Sequence, residues 1–486
     1  MTARPLMVCG TSSHVGKSLL VAGLCRILHQ DGVDVAPFKS QNMSNNAAVC
    51  DGGEIGRAQA LQARAARIPA SVDMNPILLK PEGEARSQVV VAGRPVGTME
   101  VEEYHRYKET DGRRIVTEHY RRLAARHDVV VIEGAGSPVE INLKQHDLAN
   151  LWVAEMADAP VVLVGDIDRG GVLAALAGTL ELMAPAERAR VKGYVINKFR
   201  GRRGLLDPGL SFLTDRYGVP CLGVVPYLSH ALPEEDGVAA EAGVSRGSGR
   251  LRVGVVRLPR LANFTDFDPF AMEPDVTLSY LDHPQEVAAQ DLLILPGSKA
   301  TLADLAWLRR RGLDVAVRDF ALGGGPVVGI CGGYQMLGTT IADPGGVEGG
   351  GRADGLGLLD GRTILAAEKR CVEVTYTPTP DAGLGNTPVT GYEIHMGTTA
   401  PGKDAPLFAD ASEGTGQRRG NVWGAYLHGL FDNDAARQAL LGPIRRERCL
   451  PEPPPVAFQE RVDGSLDHWA DTVRKHLDMG AVRALL

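Results

Sequence analysis

The sequence predicts an α/β protein built from two parallel-sheet domains, and three observations carry that expectation. Short β-branched runs ending in glycine or polar residues alternate with longer helical stretches, the rhythm of strands joined by crossover helices. The rhythm breaks once, at the polar, glycine-rich "PEEDGVAAEAGVSRGSGR" from Pro233 to Arg250, and then restarts. The length of 486 residues exceeds what one ordinary core serves. The expected organisation is a first domain over 1–232, a linker over 233–250, a second domain over 251–446 and a C-terminal extension over 447–486.

In the first domain the expected strands are "LMVCG", "VVVIEG" after Asp128, "PVVLVGD" and "VKGYVINK". In the second they are "LRVGVVRLP", "DLLILPGSKAT", "PVVGICGGYQ" and "NVWGAYLHGLF". Past Arg446, "LPEPPPVAF" gives way to the amphipathic "LDHWADTVRKHL", expected to be a terminal helix docked on the second domain. In open parallel sheets ligands gather at the carboxyl ends of the strands, so the glycines and acids there are the first candidates for chemistry.

Composition removes several classes of function. Charged residues at 23% and apolar residues at 44% describe a globular chain. No run approaches 18 apolar residues and the N-terminus leads straight into a strand, so neither a membrane span nor a signal peptide is expected and the cytoplasm is the expected location. The net charge of −7, with both signs interspersed, offers no basic stripe for nucleic acid. Seven scattered cysteines without a CxxC pair argue against a disulfide framework and a zinc site; all but Cys331 read as small hydrophobes.

"CGTSSHVGKSLL" is a glycine, a small polar loop, and then Gly16, Lys17 and Ser18 opening a helix. Backbone N–H groups at such a helix start cradle phosphates, a lysine reaches the terminal ones, and a serine oxygen can bind Mg²⁺. Five residues separate Gly10 from Gly16, where the ordinary P-loop has four, and this spacing resembles the variant loop of the dethiobiotin synthetase and cobyrinate amidase branch. Mg²⁺ needs oxygen ligands, for which Glu133 in "VVVIEGAGS" is the first candidate. Glu54 in "CDGGEIGRAQALQA" follows it, with Asp51 its nearest competitor, while Asp166 and Asp168 stand evenly between site and loop-capping roles. Lys39 in "PFKSQNM" follows the second apolar run and could neutralise charge on a phosphoryl group in transfer. Asn197 in "VINKFRG" ends another strand, where its amide could read an adenine edge. Lys80, Arg86 and Arg94 are either steering charges for an anionic substrate or solvated surface.

Strand, then Gly-Ile-Cys-Gly-Gly, then an apolar helix is the pattern of a nucleophile elbow, which exposes Cys331 on a strained turn. The helix start behind it and an imidazole beside it favour a thiolate. His428 in "VWGAYLHGLF" is the expected partner, and the N–H groups of Gly297 and Gly332 could form an oxyanion hole.

Together, "GTSSHVGKS", "KSQNMSNNA", "AQALQA", "NPILLKP", "IEGAGSPVEINL", "DIDRGGV", "INKFRG", "LPGSKAT", "GICGGYQMLG", "GYEIHMG" and "AYLHGLF" resemble the cobyric acid synthase family over nearly the whole chain. The resemblance implies a dethiobiotin-synthetase-like P-loop domain followed by a flavodoxin-like class I glutamine amidotransferase domain. It implies ATP and Mg²⁺ as cofactors, with Gly10, Thr11, His14, Val15, Gly16, Lys17 and Ser18 on the nucleotide and Ser40, Asn42, Asn45 and Ser137 on the substrate. It also implies L-glutamine and a corrinoid polycarboxylate as substrates, and leaves self-association open. The rival readings are cobyrinate a,c-diamide synthase, which shares both domain types, and a nucleotide-switch ATPase of the ParA/MinD type, which leaves the elbow unexplained. Class I glutaminases carry a glutamate two residues after the histidine; here that position is Leu430, so a Cys–His dyad is expected in place of the triad, with a backbone carbonyl and a carboxylate equally expected to orient His428.

Overall fold

A computed structural model describes residues 3–83, 85–228, 232 and 245–486. It divides into two compact units whose boundaries interleave along the chain. One comprises 1–44, 50–235 and 462–486, and the other 45–49 and 236–461. Most of the linker expected over 233–250 lies outside the described residues.

The first unit is organised by a six-stranded sheet. Its strands are β1 (Arg4–Gly10), β2 (Val35–Phe38), β3 (Val129–Glu133), β4 (Val161–Asp166), β5 (Val191–Phe199) and β6 (Cys221–Pro226), in the order β6-β5-β4-β1-β3-β2. Every pairing is parallel, and runs such as "VVVIE" are buried at each position, because helices cover both faces. β1 lies between β3 and β4, so the order reverses around it and a crevice opens at its carboxyl end. The loop there leads into helix α1 (Lys17–Gln30). Helix α2 (Arg57–Ala65) also belongs to this unit, as does a small sheet of Gln41–Met43, Ile77–Pro81, Arg86–Val91 and Arg94–Glu100.

The C-terminal helix Phe458–His476 corrects one expectation, because it docks on α1 of the first unit rather than on the second. Trp469 is buried and its indole Nε1 donates to the Leu19 carbonyl at 2.6 Å. Arg26 Nη2 pairs with Asp463 at 3.2 Å, and a Cβ on Gly23 would come within 2.9 Å of the indole nitrogen. An amphipathic pattern announces a buried face without saying what covers it.

The second unit has a seven-stranded sheet whose parallel part is formed by β7 (Leu251–Val256), β8 (Val276–Leu281), β9 (Leu292–Leu295), β10 (Val327–Ile330) and Val422–Ala425. Antiparallel strands Gly416–Arg419 and Ala405–Pro406 extend one edge. A second sheet of five strands includes the long hairpin of Gly361–Tyr376 and Val389–Pro401. After Ala425 the chain leaves the first sheet and joins the second as Leu427–His428, pairing His428 with Tyr392. The histidine is therefore fixed where the two sheets of this unit meet.

Candidate active sites

In the first unit the loop after β1 is shaped to wrap around an anion. A Cβ on Gly10 would sit 2.6 Å from Val15 and 2.9 Å from Lys17 Nζ, so only glycine leaves this cradle open. Gly16 has φ of 95° and caps α1, and a Cβ there would meet Asn197 Nδ2 at 2.2 Å. Lys17 Nζ donates to the carbonyls of Ser12 at 3.1 Å and Gly136 at 3.3 Å, which arches the side chain back over the loop. Thr11 N is held by Val164 O at 2.9 Å, and the His14 carbonyl accepts from Lys198 Nζ at 2.6 Å.

Glu133 is the hub of the crevice. Its Oε1 accepts from Ser18 Oγ and from Lys39 Nζ, each at 2.8 Å, and its Oε2 accepts from Gln62 Nε2 at 2.6 Å and Gln59 Nε2 at 3.5 Å. Gln59 and Gln62 lie three residues apart on α2 and so share one face. Asn42 Nδ2 braces Gln59 at 3.0 Å, and Asn75 Nδ2 braces the Lys39 carbonyl at 3.0 Å. Ser18 and Glu133 thus set two oxygens side by side next to the phosphate loop. Among the described residues no group of three or more His, Cys, Asp or Glu could hold a metal.

In the second unit Cys331 stands between β10 and the helix Gly332–Leu337 with φ of 50° and ψ of −109°, a conformation that costs a non-glycine residue free energy. The two glycines behind it are required by space. A Cβ on Gly332 would lie 2.8 Å from Ser298 N, and one on Gly333 would lie 2.0 Å from the Leu295 carbonyl. The Cys331 N–H is held by Ala425 O at 2.8 Å, and its Sγ faces the Ile394 carbonyl at 3.7 Å. Gly297 lies against both reacting side chains, its Cβ position 3.8 Å from Cys331 Cβ and 3.4 Å from His428 Cε1.

The group that orients His428 is a carboxylate. His428 Nδ1 donates to Asp266 Oδ2 at 2.6 Å, and the Gly429 N–H donates to the other carboxylate oxygen at 3.2 Å. Burial disfavours the imidazolium, but Asp266 and the Cys331 side chain outweigh it and raise the His428 pKa to about 10. The Tyr392 ring stacks on the imidazole at 5.2 Å. These three side chains form a Cys–His–Asp array with Gly297 alongside.

Two family models match the chain: the CobQ/CobB/MinD/ParA nucleotide binding domain over residues 6–236 and the CobB/CobQ-like glutamine amidotransferase domain over residues 252–436. The chain is 49% identical to the cobyric acid synthase of Syntrophobacter fumaroxidans, over 100% of this chain and 99% of that one. It is 51% identical to the cobyric acid synthase of Desulforudis audaxviator over 100% of both chains, and 48% identical to that of a Nostoc species over 99% of both. The chain belongs to the cobyric acid synthase family.

The remaining expected residues are held by the fold in particular ways. Asn197 donates its amide Nδ2 to the Val15 carbonyl at 2.9 Å, which ties the end of β5 to the phosphate loop. Lys80 is no solvated steering charge, because it is buried in an ion pair with Glu54. Asp166 and Asp168 resolve toward the structural role, paired with Lys198 at 2.9 Å and Arg200 at 2.8 Å. Ser40 is buried with its hydroxyl on Leu148 O at 2.6 Å, and the Ser137 hydroxyl accepts from Val139 N at 3.4 Å. Asn45 belongs to the second unit, where its carbonyl accepts from Asn263 N at 3.4 Å.

Sequence reasoning missed Asp266, Gln335, Gln59 and Gln62. Gln335 follows Cys331 by one helical turn; it accepts from Thr301 Oγ1 at 3.2 Å and donates to Tyr426 OH at 3.2 Å. The two glutamines on α2 carried a signal in "AQALQA", two amides at helical spacing. Asp266 carried none beyond an acid set among phenylalanines in "NFTDFDPF".

Proposed function

We propose that the chain catalyses ATP- and glutamine-dependent amidation of the b, d, e and g carboxylates of adenosylcobyrinate a,c-diamide, giving adenosylcobyric acid. The observation that carries this reading is the Cys331–His428–Asp266 array on a strained elbow, in a chain that also holds a phosphate cradle. In the second unit the Cys331 thiolate attacks the carboxamide carbon of glutamine, while His428 delivers a proton to the departing nitrogen. Ammonia leaves, and a thioester remains. His428 then takes a proton from water as it attacks the thioester, releasing glutamate and the thiol. Asp266 keeps the Nδ1 proton in place, so that the other ring nitrogen faces the chemistry.

In the first unit the substrate carboxylate attacks the γ-phosphorus of ATP and ADP departs, leaving an acyl phosphate. Lys17 and Lys39 offset the charge that moves onto the transferring oxygens, and Glu133 with Ser18 would hold the metal. Mg²⁺ bound there supplies charge neutralisation across the phosphates. Ammonia attacks the acyl carbon, and phosphate leaves.

The deciding experiment is mass spectrometry of the corrinoid product after incubation with ATP, Mg²⁺ and glutamine. Four added amides on the a,c-diamide are expected. A chain that instead amidates cobyrinate at two positions and leaves the a,c-diamide untouched is the a,c-diamide synthase.

A further inference from the structure

The motif "KSQNMSNNA" serves two places. Lys39 and Asn42 stand in the Glu133 cluster of the first unit, whereas residues 45–49 belong to the second. Within the second unit those residues run along the turn that carries Asp266. The Ala47 N–H donates to Asn263 Oδ1 at 2.9 Å, and Asn263 N–H donates to the Asn45 carbonyl at 3.4 Å. Asn46 Oδ1 accepts from Thr265 Oγ1 at 3.1 Å, and Tyr392 OH donates to the Ala47 carbonyl at 3.4 Å. Each of these contacts bears on the imidazole. Asn263 Nδ2 lies 3.4 Å from His428 Nε2, Thr265 directly precedes Asp266, and Tyr392 stacks on the ring.

Asn263 itself holds an uncommon conformation, φ 51° and ψ 43°, where it starts the short helix Phe264–Phe267. A non-glycine residue keeps such a backbone only when its surroundings over-determine it. Asn46 and Thr265 are both buried, so their mutual bond is not exchanged with water. A turn held from one side by Asn45, Asn46 and Ala47 cannot drift without taking the orienting carboxylate with it.

We propose that residues 45–47 are a positioning strap for the glutaminase histidine, fixing Asp266 through Thr265 and Asn263 and fixing the ring through Tyr392. The strap acts on the imidazole through Asn263, Thr265 and Tyr392. One motif thus supplies Lys39 to the phosphoryl-transfer crevice and, six residues later, the clamp on the nitrogen-releasing array. The inference rests on the amidotransferase reading, since only a working Cys331 gives the strap something to position.

The test uses the full-length enzyme with Asn46→Ala, Thr265→Val, Thr265→Ser and the Asn46→Ala/Thr265→Val double variant. Amidation is measured with glutamine and separately with ammonium salt. Misplacement of a catalytic group by about 1 Å can cost up to ~10²-fold in rate. We expect Asn46→Ala and Thr265→Val each to lower the glutamine-dependent kcat by about tenfold, with KM for glutamine changed by less than about twofold. Ammonia-dependent turnover should stay at the wild-type level, the double variant should be no worse than the poorer single, and Thr265→Ser should recover the wild-type rate. Unchanged glutamine turnover in both singles overturns the strap, as does equal loss of glutamine- and ammonia-driven amidation. A Thr265→Ser variant as impaired as Thr265→Val overturns it too, because the hydroxyl would then be irrelevant. If Asn46→Ala fails to fold, the Thr265 pair alone decides the matter. Cys331→Ala separates the two claims: glutamine-dependent turnover surviving that change defeats the amidotransferase reading itself, whatever the strap variants do.

Discussion

Asp266 reaches His428 from a stretch of chain 162 residues upstream, and its carboxylate does what the glutamate two residues after the histidine does in ordinary class I glutaminases. Leu430 at that later position is buried, so the vacancy in the sequence was real and its replacement came from elsewhere in the fold. Asp266→Asn should lower glutamine-dependent kcat by up to ~10⁴-fold, the size seen when an orienting carboxylate becomes an amide, while ammonia-dependent amidation persists. The pH dependence follows from the charges. The imidazolium, disfavoured by burial, is held to a pKa of about 10 by Asp266 and Cys331, above its ordinary 6.5. A raised folded-state value contributes stability that is complete below pH 6.5 and disappears as pH climbs through about 10. The His428-dependent limb of the glutaminase profile should therefore lie on the alkaline side, and Asp266→Asn should bring it to lower pH. A limb that does not move would mean another group controls it. Burial, with Asp147 adding to it, pushes the Cys9 thiol up to about 12, which leaves it inert. At Glu133 the carboxylate gathers a serine, a lysine and two amides. Glu133→Gln should raise the Mg²⁺ concentration needed for half-maximal amidation, and an unchanged Mg²⁺ titration would remove this residue from the metal site.

The runs that form β1, β3, β4, β5, β7, β9 and β10 were legible, because β-branched stretches buried on both faces end there in glycine or polar residues, whereas β8, the small sheet of the first unit and the long hairpin of the second were not foreseen. The elbow was legible for a related reason: Cys-Gly-Gly after a strand admits few backbones, and the two glycines face a carbonyl and an amide at distances no side chain tolerates. Contacts distant along the chain were not legible. Trp469 in the C-terminal helix reaches Leu19 over 450 residues, and the pairing of Gly23 with an indole is visible only once α1 has its neighbour. Trp469→Phe should cost about 1 kcal/mol for the lost hydrogen bond, and Trp469→Ala about 3–5 kcal/mol for the void. Thermal unfolding followed by circular dichroism measures both. Equal melting temperatures for wild type and Trp469→Ala would show that this helix does not hold α1.

At the scale of the molecule, phosphoryl transfer and nitrogen release reside on separate units, each with its own sheet and its own core. Lys17→Ala should consequently abolish ATP-dependent amidation and leave measurable glutamine hydrolysis; loss of both to the same extent would contradict that division. The two-domain plan was readable from composition and rhythm, while the interleaving of the units was not, since nothing in 45–49 or in the amphipathic 462–486 says which unit it packs on. That interleaving has a consequence for how the protein is made. A ribosome, working at about 5–20 residues per second, delivers the first two segments of the ATP unit well before the last. α1 waits with a bare face while more than 200 residues of the other unit are synthesised, and it is covered only when 462–486 emerge. The nitrogen-releasing unit, second in the gene, already has all of its own chain by then and can finish first. Chains cut short near residue 460 would carry a complete hydrolase for glutamine beside an uncovered α1, making them natural clients for chaperones and proteases.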